Sequence, residues 1–520
     1  MPPSSKTTAY DTVPYPCGGL PQTHPERLST LAALFGMKPP DLSVCRVLEL
    51  GCGNGSNLIP MAVALPGASF VGLDLSGPQI EQGQEEVTQL GIGNLRLVHG
   101  DLQDFDTSQG PFDYIIGHGL YSWVPPPARA QIWRILQNCL SSQGVAYLSY
   151  NTFPGWHYRL GQREMMRFHT QHVTDPERRV SQGLAMVKFV ADSIPSHLKN
   201  HADTVRHELA RLSELPTNYL LHDDLGEQNQ PFYFHEFVTD AARHGLQFLS
   251  EAEFRSMQDH RLPDKARSIL REAGDVLVVE QYRDFLTANA FRQTLLCREQ
   301  VPLRRDLSPE VVARFSARSA VRCQTERPQT DRPVPETFVL EQVSFSLADP
   351  VLKRALVFLA EQYPRAVPFA HLLAAACAAD GDVGEPKTGA QSLCELLLAL
   401  YGAGVLSLHT FEPPFERFPK EQPCLERFAR HRIEAGKEVV TPLLDNLRFE
   451  EPFGRRVALL CDGTKTRQDL LLDLVCRVKR GEFPDELVGE GLVDDVALTH
   501  QVAARLEECL HRIAAYALFV

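Results

Sequence analysis

The chain has 520 residues, 43% of them hydrophobic and 22% charged, with a formal net charge of −13. That length exceeds one ordinary core and predicts about two to four domains. The acidic balance, with no Lys/Arg-rich tract, argues against a nucleic-acid partner, and no run of about 18 apolar residues offers a membrane span. The opening MPPSSKTTAYDTVPYP lacks the basic-then-apolar pattern of a secretory leader. Twelve cysteines are scattered singly, without C-x-x-C or metal spacing. They read as reduced thiols of a cytoplasmic protein, and no metal is expected.

Taken in chain order, RVLEL (46–50), SFVGLDL (69–75), LRLVHG (95–100), FDYIIG (112–117) and VAYLSY (145–150) are strand-like and bounded by Gly, Pro or Asp. NLIPMAVAL, GPQIEQGQEEVTQLG and ARAQIWRILQNCLSS lie between them with apolar residues at helical spacing. Strand alternating with helix predicts an α/β fold, a Rossmann-like parallel sheet covered on both faces. GQREMMRFHTQHV, SQGLAMVKFVADSI and TVRHELARLSEL then read as amphipathic helices, so 156–230 is taken as a helical insertion; a separate helical domain from 156 is the alternative. The helix FHEFVTDAARHG and the strands LQFLSE (246–251) and FRQTLLCRE (291–299) complete the sheet, placing the first domain at 1–300. Residues 301–340, polar and Pro-containing, read as a linker. Three helices and a strand in 341–412 suggest a winged-helix-like unit, and 420–520 reads as mainly helical, with Thr466 or Asp462 as candidate cap of RQDLLLDLVCRV.

The stretch RVLELGCGNGSNL carries the chemistry. Gly51, Gly53 and Gly55 follow the first strand and open a helix, without the G-x-G-x-x-G spacing of a dinucleotide site. Such glycines let the backbone turn tightly and approach a ligand that a Cβ would exclude. Three acids sit at successive strand ends: Glu49 beside the turn, Asp74 after the second strand and Asp101 after the third. They can face an ammonium, a ribose diol and an adenine amine respectively. A ligand with those three groups and no pyrophosphate is S-adenosyl-L-methionine, giving S-adenosyl-L-homocysteine as product. Cys52 and Asn57 in the loop, and Leu75 and Leu102 beside the acids, are counted with the cofactor site.

ELGCGNGSN and VGLDLSGPQI resemble the cofactor motifs of class I methyltransferases. YDTVPYP with THPERL, FDYIIGHGLYSWVP, YLSYNTFPGWH and LLHDDLGEQNQPFYFHEFVTDAARHGLQFLSEAEF are similar to the bacterial protein-lysine methyltransferases described for outer-membrane proteins. Those enzymes carry a methyltransferase regulatory domain at the last of these stretches, here about 218–300. The resemblance implies that His118, Tyr121 and Trp123 after the fourth strand, and Asn151, Trp156 and His157 after the fifth, shape the acceptor site. It further implies a lid before the first strand, with Tyr10, Tyr15 and His24, of which Tyr15 and His24 also touch cofactor, as does His118. The [ND]-P-P-[YF] motif of base and glutamine methyltransferases is missing from GHGLYSWVPPP.

These readings lead to an enzyme that N-methylates lysines of a protein or peptide by in-line displacement, with no membrane insertion and an oligomeric state left open, a dimer included. Methylation of a small metabolite or peptide natural product is one alternative. A non-catalytic sensor or scaffold that binds the cofactor is another.

Overall fold

The structure, a computed structural model, describes residues 13, 15, 18–378, 386–412, 414–442, 445–483 and 495–520. Tyr10 lies outside the described residues.

The β-branched and aromatic runs form the strands that the sequence predicts: β1 (Arg46–Leu50), β2 (Ser69–Asp74), β3 (Leu95–His99), β4 (Phe112–Gly117), β5 (Leu140–Asn151), β6 (Leu246–Glu251) and β7 (Phe291–Arg298). They join in one seven-stranded sheet of order β3-β2-β1-β4-β5-β7-β6. All pairings are parallel except those of β7 with β5 and β6. Neighbouring residues of β1 show why both faces are covered. Val47 belongs to one buried cluster with Phe70, Tyr114 and Tyr147, while Leu48 belongs to a second with Leu73, Ile115 and Leu148. A strand buried on both sides reads as a continuous apolar run, which is what RVLEL shows.

The predicted insertion forms three helices, His157–Thr170, Pro176–Ser193 and Lys199–Glu214. With Leu220, Leu221 and Leu225 they enclose a small core around Met166, Val187 and Val205. Arginines on these helices hold the chain that follows. Arg211 pairs with Asp224 at 3.1 Å and Glu208 at 2.7 Å, and Arg179 donates to the Leu225 carbonyl at 3.0 Å.

Residues 301–340, expected to be a linker, instead supply sheet. Ser316–Arg318 pairs with Val367–Pro368 on one side and with Ser407–His409 on the other. Glu336–Leu340 forms a hairpin with Val343–Leu347. A strand of three residues stands out from polar loop only through partners far along the chain. The helices Pro350–Gln362, Phe369–Cys377 and Pro386–Ala403 share the first sheet cluster, and Tyr401 stacks on Phe254 with ring centroids 5.0 Å apart.

The last region has its own core around Phe453, Leu474, Leu506 and Phe519. Thr466 caps Arg467–Lys479 in a reciprocal capping box with Asp469, so it and not Asp462 fills the cap. This region grips the first domain at two points. Glu86 on Gly77–Gln89 receives Arg432 at 3.3 Å and Lys437 at 3.8 Å, and Asn446 bonds both backbone groups of Gly19. Among the described residues no helix is long and apolar enough to cross a membrane, and no group of three or more His, Cys, Asp and Glu could hold a metal.

Candidate active site

The turn after β1 is built on left-handed backbone: Gly51, Gly53 and Gly55 have φ of 73°, 56° and 76°. A side chain at any of them would be strained, so the run of glycines is a geometric requirement. Asp74 at the end of β2 locks this turn. Its Oδ2 accepts from the Gly53 N–H at 2.8 Å and its Oδ1 from the Ser76 N–H at 2.8 Å. Cys52 is buried, with its Sγ within 2.7 Å of the place a Cβ on Gly72 would take, so it packs the turn onto β2.

Glu49 is buried at the same strand end. Its Oε1 accepts from Asn57 Nδ2 at 2.8 Å, while its Oε2 is buried with no hydrogen-bond partner among the described residues. Burial, with Asp74 adding to it and the Asn57 bond opposing it, pushes this carboxyl up to about 8. Asn57 also bonds Thr23 and accepts from the Leu20 N–H at 2.9 Å, which brings the segment before β1 over the turn. His24 caps the helix Pro25–Leu34 by accepting from the Glu26 N–H at 3.1 Å. Burial lowers its pKa to about 4, so the ring is neutral, and its Nε2 has no partner among the described residues.

Gly19 lies so close to the last region that an added Cβ would meet Val440 Cγ1 at 2.5 Å. The C-terminal region thus holds the segment that covers the glycine turn. Asn446→Ala removes two hydrogen bonds to Gly19 and is expected to weaken cofactor binding by about 1 kcal/mol, with little change in melting temperature. Calorimetric titration beside a thermal melt checks this, and unchanged affinity would separate the C-terminal region from the cofactor site.

At the end of β3, Asp101 caps a short turn by accepting from the Gln103 N–H at 2.8 Å, and it is half-buried, as is Leu102. Leu75 is 52% exposed, the exposure a ribose or base would need to find there. At the end of β4, His118 Nδ1 lies 2.8 Å from the Tyr147 hydroxyl and its ring meets Phe291 edge-on at 5.9 Å. Burial lowers its pKa to about 4, which makes it a neutral hydrogen-bonding group. Trp123 and Trp156 meet edge-to-face at 6.3 Å, and the Trp156 Nε1 is buried without a partner among the described residues. Asn151 at the end of β5 donates to Asn229 at 2.9 Å, and His157 lies 3.0 Å from the Tyr233 hydroxyl.

Tyr121 departs from expectation. It is 2% exposed, its hydroxyl accepts from Trp133 Nε1 at 3.0 Å, and Trp133, Tyr150, Phe232 and Phe237 surround it. A phenol committed to a buried aromatic cluster is a packing residue, not a group that reaches substrate.

Sequence reasoning named Tyr15 but passed over the residues that meet it. Tyr15 donates to Asp223 Oδ2 at 3.4 Å and packs edge-on to Tyr219, while His222 Nε2 lies 2.7 Å from the Val13 carbonyl. Burial, then Asp224, raises Asp223 to about 7, partly offset by the Tyr15 bond. Tyr15 also lines a cleft with Asn54, Ser56, Gln79 and Gln82, which ties this acidic turn to the glycine loop. The only signal in the sequence was the pair of adjacent acids in LLHDDLGEQN, ordinary for a solvated turn until the insertion arginines bury it.

Comparison with known proteins fits this geometry. A model described as "Methyltransferase domain" matches 47–144, one described as "Predicted methyltransferase regulatory domain" matches 216–298, and one described as "PKMT, C-terminal winged helix domain" matches 421–518. A solved structure of PKMT2 from Rickettsia typhi in complex with AdoHcy superposes with TM-score 0.87 at 28% identity, covering 97% of this chain and 100% of that one. Two uncharacterised proteins of Rickettsia prowazekii are 40% and 38% identical over 307 and 241 residues, or 59% and 46% of this chain. Those matches span 56% and 96% of the relatives' own lengths, so the chain spans about half of the longer relative.

The chain belongs to the class I methyltransferases that carry this regulatory domain.

The sheet of this methyltransferase is accordingly the class I sheet, and its cofactor is S-adenosyl-L-methionine. The residues present fit that group. An orphaned buried carboxylate oxygen on Glu49 suits an ammonium, and a turn with no Cβ at Gly51, Gly53 and Gly55 suits close approach of a ligand. The winged-helix model falls on 421–518, the region read from sequence as mainly helical, and not on 341–412.

Proposed function

We propose that this methyltransferase methylates lysine side chains of a protein substrate. The observation that carries the reading is the near full-length likeness to PKMT2, which extends through the regulatory and winged-helix regions beyond the catalytic sheet. A polypeptide substrate needs extended contact area, and those regions can supply it.

In this reading Glu49, oriented by Asn57, receives the cofactor ammonium, and the backbone of Gly51, Cys52 and Gly53 lies along its methionine part. Asp74 takes the ribose hydroxyls beside Leu75, Asp101 takes the adenine amine beside Leu102, and His118 borders the methionine end. Tyr15 and His24 belong to the segment that closes over it. When bound, the cofactor supplies an activated methyl on a sulfonium sulfur. The acceptor amine, ordinarily near pKa 10.4, must reach it neutral. Trp123 and Trp156 form an aromatic wall that excludes water, and that dehydration favours the uncharged amine. Positioning and dehydration then do most of the work of an in-line displacement.

The test is transfer of labelled methyl into a fractionated bacterial lysate, with the Asp74→Ala protein as control. Asp74→Ala is expected to weaken cofactor binding by about 1–3 kcal/mol, the range for hydrogen bonds to charged groups, and to lower labelling in step. Label recovered as methyl-lysine from precipitated protein supports the reading. Label confined to small molecules, or cofactor bound with no transfer, overturns it in favour of a metabolite enzyme or a sensor.

A further inference from the structure

The helix Val276–Thr287 in the regulatory region is turned inside out. Its first residues, Val276 and Leu277, pack against the second sheet cluster. Beyond them the inward face carries Glu280, Gln281 and Asp284, which are 1%, 6% and 1% exposed. The outward face carries Val278, Tyr282, Phe285 and Leu286, which are 39%, 42%, 52% and 53% exposed. A surface helix that folds only for its own core places these residues the other way round.

The inward acids are held by Arg292 of β7. Its guanidinium meets Asp284 at 2.9 Å, Glu280 at 3.2 Å and Glu251 at 2.8 Å. Gln281 accepts from the His235 N–H at 3.1 Å. This polar clamp fixes the helix orientation and presents the apolar face to solvent.

The exposed strip runs toward the catalytic end of the sheet. Phe285 meets Tyr233 edge-on at 6.1 Å, and Tyr233 bonds His157, whose ring stacks on Phe153 at 4.1 Å. Phe291, 38% exposed and paired with Asn151, touches the ring of His118. Ring contacts therefore lead from the helix to the end of β5, where Phe291 adds an exposed ring beside Asn151 and His118.

We propose that this strip, Val278, Tyr282, Phe285, Leu286 and Phe291, docks an apolar stretch of the polypeptide that carries the acceptor lysine; the proposal rests on the lysine-methylation reading above. Continuity with the site is the first argument. Area is the second: the exposed parts of these five side chains amount to roughly 450 Å², against ~800 Å² per partner in a stable interface. That suits a transient hold on a segment of substrate and falls short of a permanent dimer. A membrane-lying helix carries Lys and Arg on its polar face, whereas this polar face is acidic and turned inward.

The test uses two synthetic peptides with one central lysine, one flanked by Leu, Val and Phe and the other by Ser and Gly, with the full-length protein and its Phe285→Ser/Leu286→Ser variant. The wild-type kcat/KM is expected to favour the apolar peptide about tenfold, mainly through KM, and the variant to bring the ratio near one. Cofactor titration reports that the variant is folded. Equal rates on both peptides, or a preference kept by the variant, overturns the docking strip while leaving lysine methylation standing. No methyl-lysine from either peptide or from lysate overturns the underlying reading and the strip with it. A wild-type dimer that the variant dissociates, or vesicle binding that the variant loses, assigns the face to a second copy or to lipid and overturns the proposal.

Discussion

Replacing Arg292 with alanine is expected to remove about 3–5 kcal/mol of stability, the cost of breaking a buried ion pair from one side. Arg292 is buried and meets Glu251, Glu280 and Asp284 together, and its guanidinium lies 4.1 Å from the centre of the Phe234 ring. Burial already raises the carboxyls of Glu280 and Asp284, and Arg292 is the main group opposing that rise. Without it these acids hold protons to higher pH. The variant's deficit is therefore largest where they must ionise and shrinks as pH falls and they are neutralised. Thermal melts of both proteins from pH 8 to pH 5 check this. A difference that does not narrow toward pH 5 would place the cost in packing, not in orphaned charge.

Glu49→Gln is expected to weaken S-adenosyl-L-methionine binding by about 1.5–3 kcal/mol at pH 8, as a charged acceptor is replaced by a neutral amide. It is also expected to abolish the pH dependence of binding that Glu49 causes. The carboxyl titrates near 8 in the folded protein against an ordinary 4.5. Its folded pKa is raised, so between those values the folded state keeps a proton that the unfolded state has lost. Stability from this group is fully present below about 4.5 and falls as pH rises toward 8. A ligand ammonium reverses the preference, so binding expels the proton and tightens as pH climbs through the same window. Titration calorimetry in two buffers of different ionisation enthalpy measures the release. A wild-type heat independent of buffer would contradict the assignment of Glu49 to the ammonium.

The class and the cofactor were legible because their signals are local. Gly51, Gly53 and Gly55 answer to backbone torsions, and an acid at a strand end is one residue type at one point in an alternating pattern. Short β-branched and aromatic runs likewise marked all seven strands. Tyr121 misled because an aromatic residue after a strand reads the same whether it lines a site or joins a cluster; only Trp133 and Phe237, brought in by two other helices, decide that. Asp223 was passed over for the converse reason. Its environment comes from Tyr15 and Arg211, distant in the chain, acting with its neighbour Asp224.

The sequence by itself determined the strands, their mainly parallel sheet covered on both faces and the place where glycines turn the backbone for the cofactor, since each follows from residue types within a few positions. The antiparallel place of β7 between β5 and β6 came only from the tertiary structure. Tertiary structure decided the rest. It drew Ser316–Arg318 into a sheet with partners in 367–409, seated Asn446 on Gly19, and turned the apolar face of Val276–Thr287 outward. In each case the free energy lies in contacts between segments distant along the chain, and in Arg292 a single buried cation outweighs the helix's own amphipathic pattern.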